Sequence, residues 1–172
     1  MDYLFYAIAA LIFLMCWIFL SGVWSMAVIK RVERFEYHAD QFFKHASSLL
    51  ACEAIKPSLV QRILFLSDAV AHKKSAREFF FMFAFSPSQP GAPASQFDRD
   101  VAGLPQDYFE DLLKSVLHAL LAISYQNFIF GIPFRALIAS MLYDRRHQKQ
   151  LAGRVYSGTE KALKSSELVF HH

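Results

Sequence analysis

Two histidines on one predicted helix are the first side chains in this sequence whose types and spacing could support chemistry. His38 and His45 share an i, i+3, i+7 pattern with Gln41, Ser48 and Cys52, so all five side chains lie on one flank of a helix. At a rise of ~1.5 Å per residue the two histidines are roughly 10 Å apart, too far to bind one metal ion without a partner helix between them. We therefore expect this flank to be a solvated helix face.

A second candidate site lies on the most apolar predicted helical hairpin, which contains the polar residues His118, Tyr125, Gln126, Asn127 and Arg135. Buried polar groups need partners, and a pocket formed around His118 and Arg135 could hold a haem, a quinone or a lipid headgroup. His72 is a weaker candidate for the same site. In the alternative interpretation His118 is a core residue, and Arg135 is structural and pairs with Asp111 or Glu78.

Signatures of hydrolases, nucleotide-binding proteins and structural zinc sites are not found in the sequence. It has no G-x-S-x-G elbow, no phosphate-binding loop and no Cys/His spacing typical of zinc. A di-iron centre needs Glu-x-x-His pairs, and neither Glu36 nor Glu110 has a histidine three residues later. Asp98, Arg99 and Asp100 could contact a metal or a partner, but they form only a short acidic and basic run. The sequence thus predicts no catalytic residue, no metal ligand and no identifiable cofactor, which favours a protein that is not an enzyme.

The N-terminal segment positions the rest of the chain. Residues 3–29 contain no charged side chain, and about 20 apolar residues are enough to cross the ~30 Å hydrocarbon core of a bilayer. A signal peptide needs a basic start, a shorter apolar core and a small-residue cleavage site, and this segment begins with Asp2 and is too long. We predict a transmembrane anchor over residues 1–31. Small residues along one stripe could pack against another membrane helix: Ala7, Ala10, Ser21 and Ser25.

Basic residues at the end of this segment predict its orientation. Lys30, Arg31 and Arg34 follow the apolar run, and an excess of Lys and Arg marks the cytoplasmic side of a membrane. We expect an inner-membrane protein with its N-terminus outside and the bulk of the chain in the cytoplasm. A mitochondrial protein facing the matrix would follow the same rule.

Charge and cysteine content restrict the partners. Residues 30–172 contain 18 basic and 14 acidic side chains, a net charge of +4 that suits anionic lipid headgroups but is too weak to predict nucleic-acid binding. Cys16 lies in the predicted span and Cys52 beyond it, so they are not expected to form a disulfide.

Two amphipathic helices are predicted after the anchor. Apolar residues between positions 32 and about 55 recur with helical spacing, and Pro57 is expected to end that helix. Ser58 and Gln61 then form a predicted capping box for a second helix. The short connection predicts an antiparallel hairpin.

An aromatic run follows a basic cluster after the second helix. The basic residues are Lys73, Lys74 and Arg77, and the aromatic ones are Phe79, Phe80, Phe81, Phe83 and Phe85. Cations beside large aromatics are typical of membrane-interface segments. Two interpretations stay open, a core or partner contact and insertion into the bilayer.

The second half of the chain should begin with a loop and continue as an apolar hairpin. Residues 86–105 contain four prolines and two glycines, which predicts a loop. Asp107 is placed to open a helix, and the hairpin at 112–150 should turn at Gly131 and Pro133. This hairpin is either the core of the domain or a wedge in the near leaflet.

The sequence as a whole predicts an all-α protein with a single transmembrane helix and a cytoplasm-facing bundle of about four helices. Its segments are the anchor (1–31), an amphipathic hairpin with an aromatic end (32–85), a loop (86–105) and the apolar hairpin with basic C-terminal helices (106–172). Surplus apolar surface favours an accessory or scaffold subunit that binds membrane proteins of a larger complex. The alternative is a membrane-associated enzyme or cofactor carrier acting on a lipid, quinone or haem.

Overall fold

The fold is all-α, as predicted. The computed structural model describes residues 2–72, 77–81, 96–142, 151–156 and 158–159, and all regular structure in these ranges is helical. The chain divides into two compact units, Met1–Arg34 and Phe35–His172.

The first unit consists of the N-terminal part of helix α1, which spans Asp2–Leu50. Every described side chain from position 10 to 27 is exposed. Among the described residues, α1 is the one helix long and apolar enough to cross a membrane. A helix suits that role because it satisfies its backbone hydrogen bonds internally. The helix continues through Lys30 and Arg31 without a non-helical break.

The second unit begins with the amphipathic part of α1. Its buried side chains recur with the predicted helical period: Ala39, Phe42, Ala46 and Leu49. The predicted end near residue 55 is wrong, because α1 ends at Leu50. There the Cys52 amide donates to the Leu49 carbonyl at 3.0 Å, an i to i−3 bond that tightens the chain and buries Cys52.

Helix α2 spans Pro57–Ala71 and has Pro57 in its first turn. Its inward side chains are Leu59, Ile63, Leu66, Ala69 and Val70. The predicted capping box is wrong: the N-cap is Lys56 and makes no side-chain capping bond. The Ser58 hydroxyl donates instead to Asp100 Oδ2 at 2.8 Å, a tertiary contact that local sequence does not show.

A short helix, α3, occupies Gln96–Val101. The predicted loop over 86–105 is therefore wrong for these six residues, and residues 86–95 lie outside the described ranges. Phe97 accounts for the difference, because its side chain is only 3% exposed and its ring packs edge-on against Tyr156 with centroids 5.5 Å apart. Burial of this aromatic ring stabilises a turn of helix in a segment rich in loop-forming residues.

Helices α4 (Gln106–Gln126) and α5 (Phe128–Leu142) form the apolar hairpin. The predicted turn at Gly131 and Pro133 is wrong, because both residues lie inside α5. The turn is at Asn127, whose Oδ1 accepts from the amides of Ile129 (2.9 Å) and Phe130 (3.2 Å). Asn127 thus caps the N-terminus of α5.

Helix α4 is central to the second unit. Along α1, His38 contacts His118 and the later His45 contacts the earlier Asp111, so α1 and α4 are antiparallel. Helix α2 runs parallel to α4, because Leu59 lies near Leu112 and Val70 contacts Gln126. Helix α5 folds back onto α4. The predicted antiparallel arrangement of α1 and α2 is therefore confirmed, and α4 packs against both helices. The largest fully buried apolar side chains come from α1, α2, α4 and α5: Phe42, Leu49, Leu59, Leu120, Ile123, Phe134 and Ile138.

Near the C-terminus, residues 151–156 and 158–159 are helical. Leu151, Ala152, Val155 and Tyr156 are buried in the core of the second unit. The part of the predicted C-terminal helices beyond Thr159 lies outside the described residues.

Candidate functional site

The most distinctive polar contact of the second unit joins two histidines across the α1–α4 interface. His38 Nδ1 and His118 Nδ1 are 3.0 Å apart, within hydrogen-bond distance. Their ring centroids are 5.2 Å apart, and the His118 ring is 6.0 Å from that of His45. Helix α4 therefore places His118 between the two histidines of α1. We refer to His38, His45 and His118 as the histidine cluster.

Asp111 lies seven residues before His118 on α4 and binds His45 at one end of this cluster. His45 Nδ1 donates to Asp111 Oδ1 at 2.9 Å, and the Ser48 hydroxyl donates to Oδ2 at 2.8 Å. Burial alone would raise the pKa of Asp111, but these hydrogen bonds and the charges of His45 and Lys114 outweigh it and lower the pKa. The carboxylate thus stays ionised and orients the His45 ring.

Tyr125 lies at the other end of the cluster. The His38 ring stacks on the Tyr125 ring at a centroid distance of 5.7 Å, with only 13° between the planes. On the same tyrosine lies the Arg135 guanidinium, 4.4 Å from the ring centroid, and Arg135 also donates to the Ser124 carbonyl at 3.0 Å. Tyr125 consequently connects the histidine cluster to α5.

The electrostatic environment disfavours a charge on His118. Burial lowers the pKa of His118, and the neighbouring charge of His45 lowers it further. His118 is therefore a neutral imidazole at neutral pH, and one of its nitrogens can accept a hydrogen bond.

The predicted solvated flank of α1 is wrong for four of its five residues. His38, Gln41 and His45 are half-buried and Cys52 is buried, while Ser48 is exposed. For His38 and His45 the reason is that α4 packs on this flank with complementary polar groups, His118 and Asp111. Asp111 was predicted only as a partner of Arg135, but it accepts from His45 and Ser48. Its position seven residues before His118 on a predicted helix was a usable signal for this role.

The residues predicted to bind a ligand are only partly brought together. His118 contacts His38, which stacks on Tyr125, and Arg135 lies over the same tyrosine ring. His72 lies at the exposed C-terminal end of α2, where its Nδ1 donates to the Asp68 carbonyl at 2.9 Å. Among the described residues, no group of three or more His, Cys, Asp or Glu side chains is arranged to hold a metal ion.

Asp100, predicted as a weak metal or partner contact, has a structural position. Its Oδ2 accepts from Tyr156 and Ser58, and Lys56 lies 3.8 Å from Oδ1. Burial opposes ionisation, but these hydrogen bonds and the charges of Lys56 and Arg62 lower the pKa of Asp100. The carboxylate therefore joins α2, α3 and the helical segment 151–156.

Buried Arg62 completes this second polar cluster. Its guanidinium lies 3.4 Å from the centroid of the Tyr156 ring and donates to Tyr156 O and to Thr159 Oγ1, the latter at 2.9 Å. A small apolar cavity adjoins it, lined by Leu59, Ile63, Phe97 and Val116 among others. These contacts hold the C-terminal segment on the core.

A charge-free apolar surface covers the outer side of α5. We define the α5 face as its exposed residues: Phe128, Ile129, Ile132, Pro133, Ala136, Ala139 and Ser140. Phe128 is 45% exposed, Ile129 75% and Ile132 51%. The one charged residue of the helix, Arg135, is directed towards Ser124 and Tyr125. A helix on the surface of a water-soluble domain normally carries charged residues on this side.

Two of the predicted aromatic contact residues, Phe80 and Phe81, pack beside α5. Phe79 is buried, Phe80 is half-buried and Phe81 is 45% exposed. The Phe80 and Phe81 rings lie 6.1 and 5.9 Å from that of Phe130 on α5. Arg77 is exposed. The remaining predicted residues, Lys73, Lys74, Phe83 and Phe85, lie outside the described ranges.

The small residues predicted to pack in the membrane lie on the exposed part of α1. Ser21 Oγ donates to the Ile18 carbonyl and Ser25 Oγ to the Ser21 carbonyl, each at 2.8 Å. Ala10 is exposed, and the side chain of Ala7 is not among the described ones. The hydroxyls are thereby satisfied within the helix, as an apolar environment requires.

Comparisons of this chain with protein-family models, curated proteins and solved structures give no match.

Proposed function

We propose that this protein is a membrane-anchored accessory or scaffold subunit that binds partner proteins in a larger membrane complex. The observation that carries this proposal is the α5 face, an exposed apolar surface without a charge on a helix whose opposite side is packed in the core. Exposed apolar patches rimmed by polar residues mark interaction sites, because their hydration is unfavourable.

The anchor supports the membrane location. An exposed apolar helix of this length is stable in hydrocarbon and would aggregate in water. The positions of Lys30, Arg31 and Arg34 favour an orientation with Phe35–His172 in the cytoplasm, or in the matrix of a mitochondrion. In that orientation the α5 face meets partners on the inner side of the membrane.

The contacts around His118 favour binding of proteins over the alternative of an enzyme or cofactor carrier. The polar groups expected to receive a haem, quinone or lipid headgroup are bonded to one another: His118 to His38, and Arg135 to Ser124 and Tyr125. A ligand would have to displace these contacts, and each net hydrogen bond contributes about 0.5–1.5 kcal/mol. The α5 face needs no such rearrangement.

Site-specific photo-crosslinking in native membranes tests the proposal. With benzoylphenylalanine in place of Ile132, we expect crosslinks to one or a few defined proteins recovered in fixed ratio to the chain. The same amino acid in place of Leu64, which is 56% exposed on α2, is the matched control and should give no such products.

Three results would contradict the proposal. Crosslinking of position 132 to lipid alone would mean that the α5 face contacts the bilayer and not a partner protein. Recovery of the same protein partners from an Ile129→Glu/Ile132→Glu variant would show that the α5 face does not bind them. A metal or haem that co-purifies and is lost on His118→Ala would favour the cofactor alternative.

A further inference from the structure

The contact between His38 and His118 depends on protonation. Each Nδ1 atom can either donate or accept, and at 3.0 Å one must donate while the other accepts. If both imidazoles are protonated, all four ring nitrogens carry protons and two N–H groups face each other. The contact then changes from a hydrogen bond to a repulsion between like charges.

The groups around the pair make protonation of the second imidazole unfavourable. Among the described residues, the titratable groups packed against the pair include Tyr37 and His45 on α1 and Tyr125 on α4. Further charges lie behind these: Asp111 bonds to His45, Lys114 acts on Asp111, and Arg135 lies over Tyr125. The Asp111 carboxylate is already bonded to His45 and Ser48, so it compensates charge on His45. Arg135 adds a permanent positive charge over Tyr125, the ring on which His38 stacks.

We propose that His38 and His118 form a proton-operated latch, which holds α1 against α4 at neutral pH and releases this part of α1 on acidification. The latch goes beyond the proposed partner binding and does not depend on it. Opening at low pH agrees with the electrostatics of His118, because burial lowers the pKa of this histidine in the folded state. A histidine with a lowered pKa in the folded state binds its proton more readily when the contact is broken, so acid favours opening.

Opening of the latch would affect a defined part of the molecule. The apolar side chains of α1 next to the histidines, Ala39, Phe42 and Ala46, are buried in the core of the second unit. Release of this part of α1 would expose these side chains and loosen the core next to α1. Local opening of this kind is seen as loss of amide protection.

Hydrogen exchange on the full-length chain in lipid nanodiscs tests the latch. Protection factors for residues 39–49, corrected for the intrinsic exchange rate, are measured at pH 7.5 and 5.5. We expect the wild-type protection to fall by more than about threefold at the lower pH, because acid favours the open state. His118→Gln keeps a hydrogen-bonding partner for His38 without a titrating ring, and its protection should change by less than about threefold.

Controls make the outcome decisive. His72→Gln removes an exposed histidine on α2 and should keep the wild-type pH dependence. If His118→Gln does not fold, His38→Gln is the equivalent variant from the other side of the contact. In the wild type, the ring nitrogens of His38 and His118 should titrate in two separate steps by NMR. Wild-type protection that is equal at both pH values, or an equal fall in the glutamine variants, would overturn the proposal.

Discussion

Gly131 and Ser124 approach each other so closely across the α4–α5 hairpin that a Cβ atom on Gly131 would lie 1.9 Å from the Ser124 carbonyl oxygen. That oxygen also accepts a hydrogen bond from Arg135, one turn after Gly131. The glycine is therefore required for close packing of the two helices, and it does not form a turn.

Gly131→Ala should destabilise the protein in spite of the better helix propensity of alanine. The propensity gain is about 1 kcal/mol, but the clash forces α5 away from α4 and breaks the Arg135 contact, so we expect a net loss of about 1–3 kcal/mol. Denaturant unfolding in mild detergent measures this change in the free energy of unfolding. Gly153→Ala is the control, because its nearest contact is an ordinary 3.7 Å to Phe97. Equal stability of the two variants would show that the helices are not in close contact.

Phe97→Ala should cost about 3–5 kcal/mol of unfolding free energy, since it removes a buried aromatic ring and leaves a cavity between α3 and Tyr156. Phe43→Ala is the matched control on α1, where the ring is 49% exposed, and should cost much less. The same unfolding experiment measures both. A small effect at Phe97 would mean that α3 is not docked on the core.

Asp111→Asn should weaken the α1–α4 interface and alter its pH dependence. Loss of the charged acceptor of His45 and Ser48 should cost about 1–2 kcal/mol at pH 7. Because the pKa of Asp111 is lowered in the folded state, its contribution is complete above the unfolded pKa of ~3.9 and is lost as pH falls through the lower folded value. Unfolding curves between pH 3 and 7 should show a smaller acid destabilisation in the variant. Asp68→Asn, at an exposed carboxylate on α2, should leave the wild-type profile unchanged.

Charged residues within the predicted span should prevent membrane insertion. Each arginine at the centre of a membrane helix costs about 2.5–3.5 kcal/mol, so Leu14→Arg/Ile18→Arg should move the chain from the carbonate-resistant membrane fraction to the soluble or aggregated fraction. Leu64→Arg, exposed on α2, should stay in the membrane fraction. An intact mass without residues 1–31 in the mature protein would show that the segment is a cleaved signal and not an anchor.

Local patterns in the sequence determined the elements of this protein. An uncharged run of 27 residues, the apolar period of Ala39, Phe42 and Ala46, and the acidic start of α4 each depend on neighbours within a few turns, so helix positions could be predicted from them. Helix ends were harder to predict, because Pro57 and Pro133 are compatible with the first turn or the interior of a helix as well as with its end.

Tertiary structure alone decided which residues meet. His38 and His118 are 80 positions apart, and their contact requires α1 and α4 to pack antiparallel in one register. The exposed side of α5 could not be predicted either, because a uniformly apolar helix shows no periodicity that distinguishes its packed side from its open one. Only the structure shows that Arg135 is directed towards Ser124. Contacts between distant segments depend on shape and packing over the whole unit, and a single sequence contains no local signal for them.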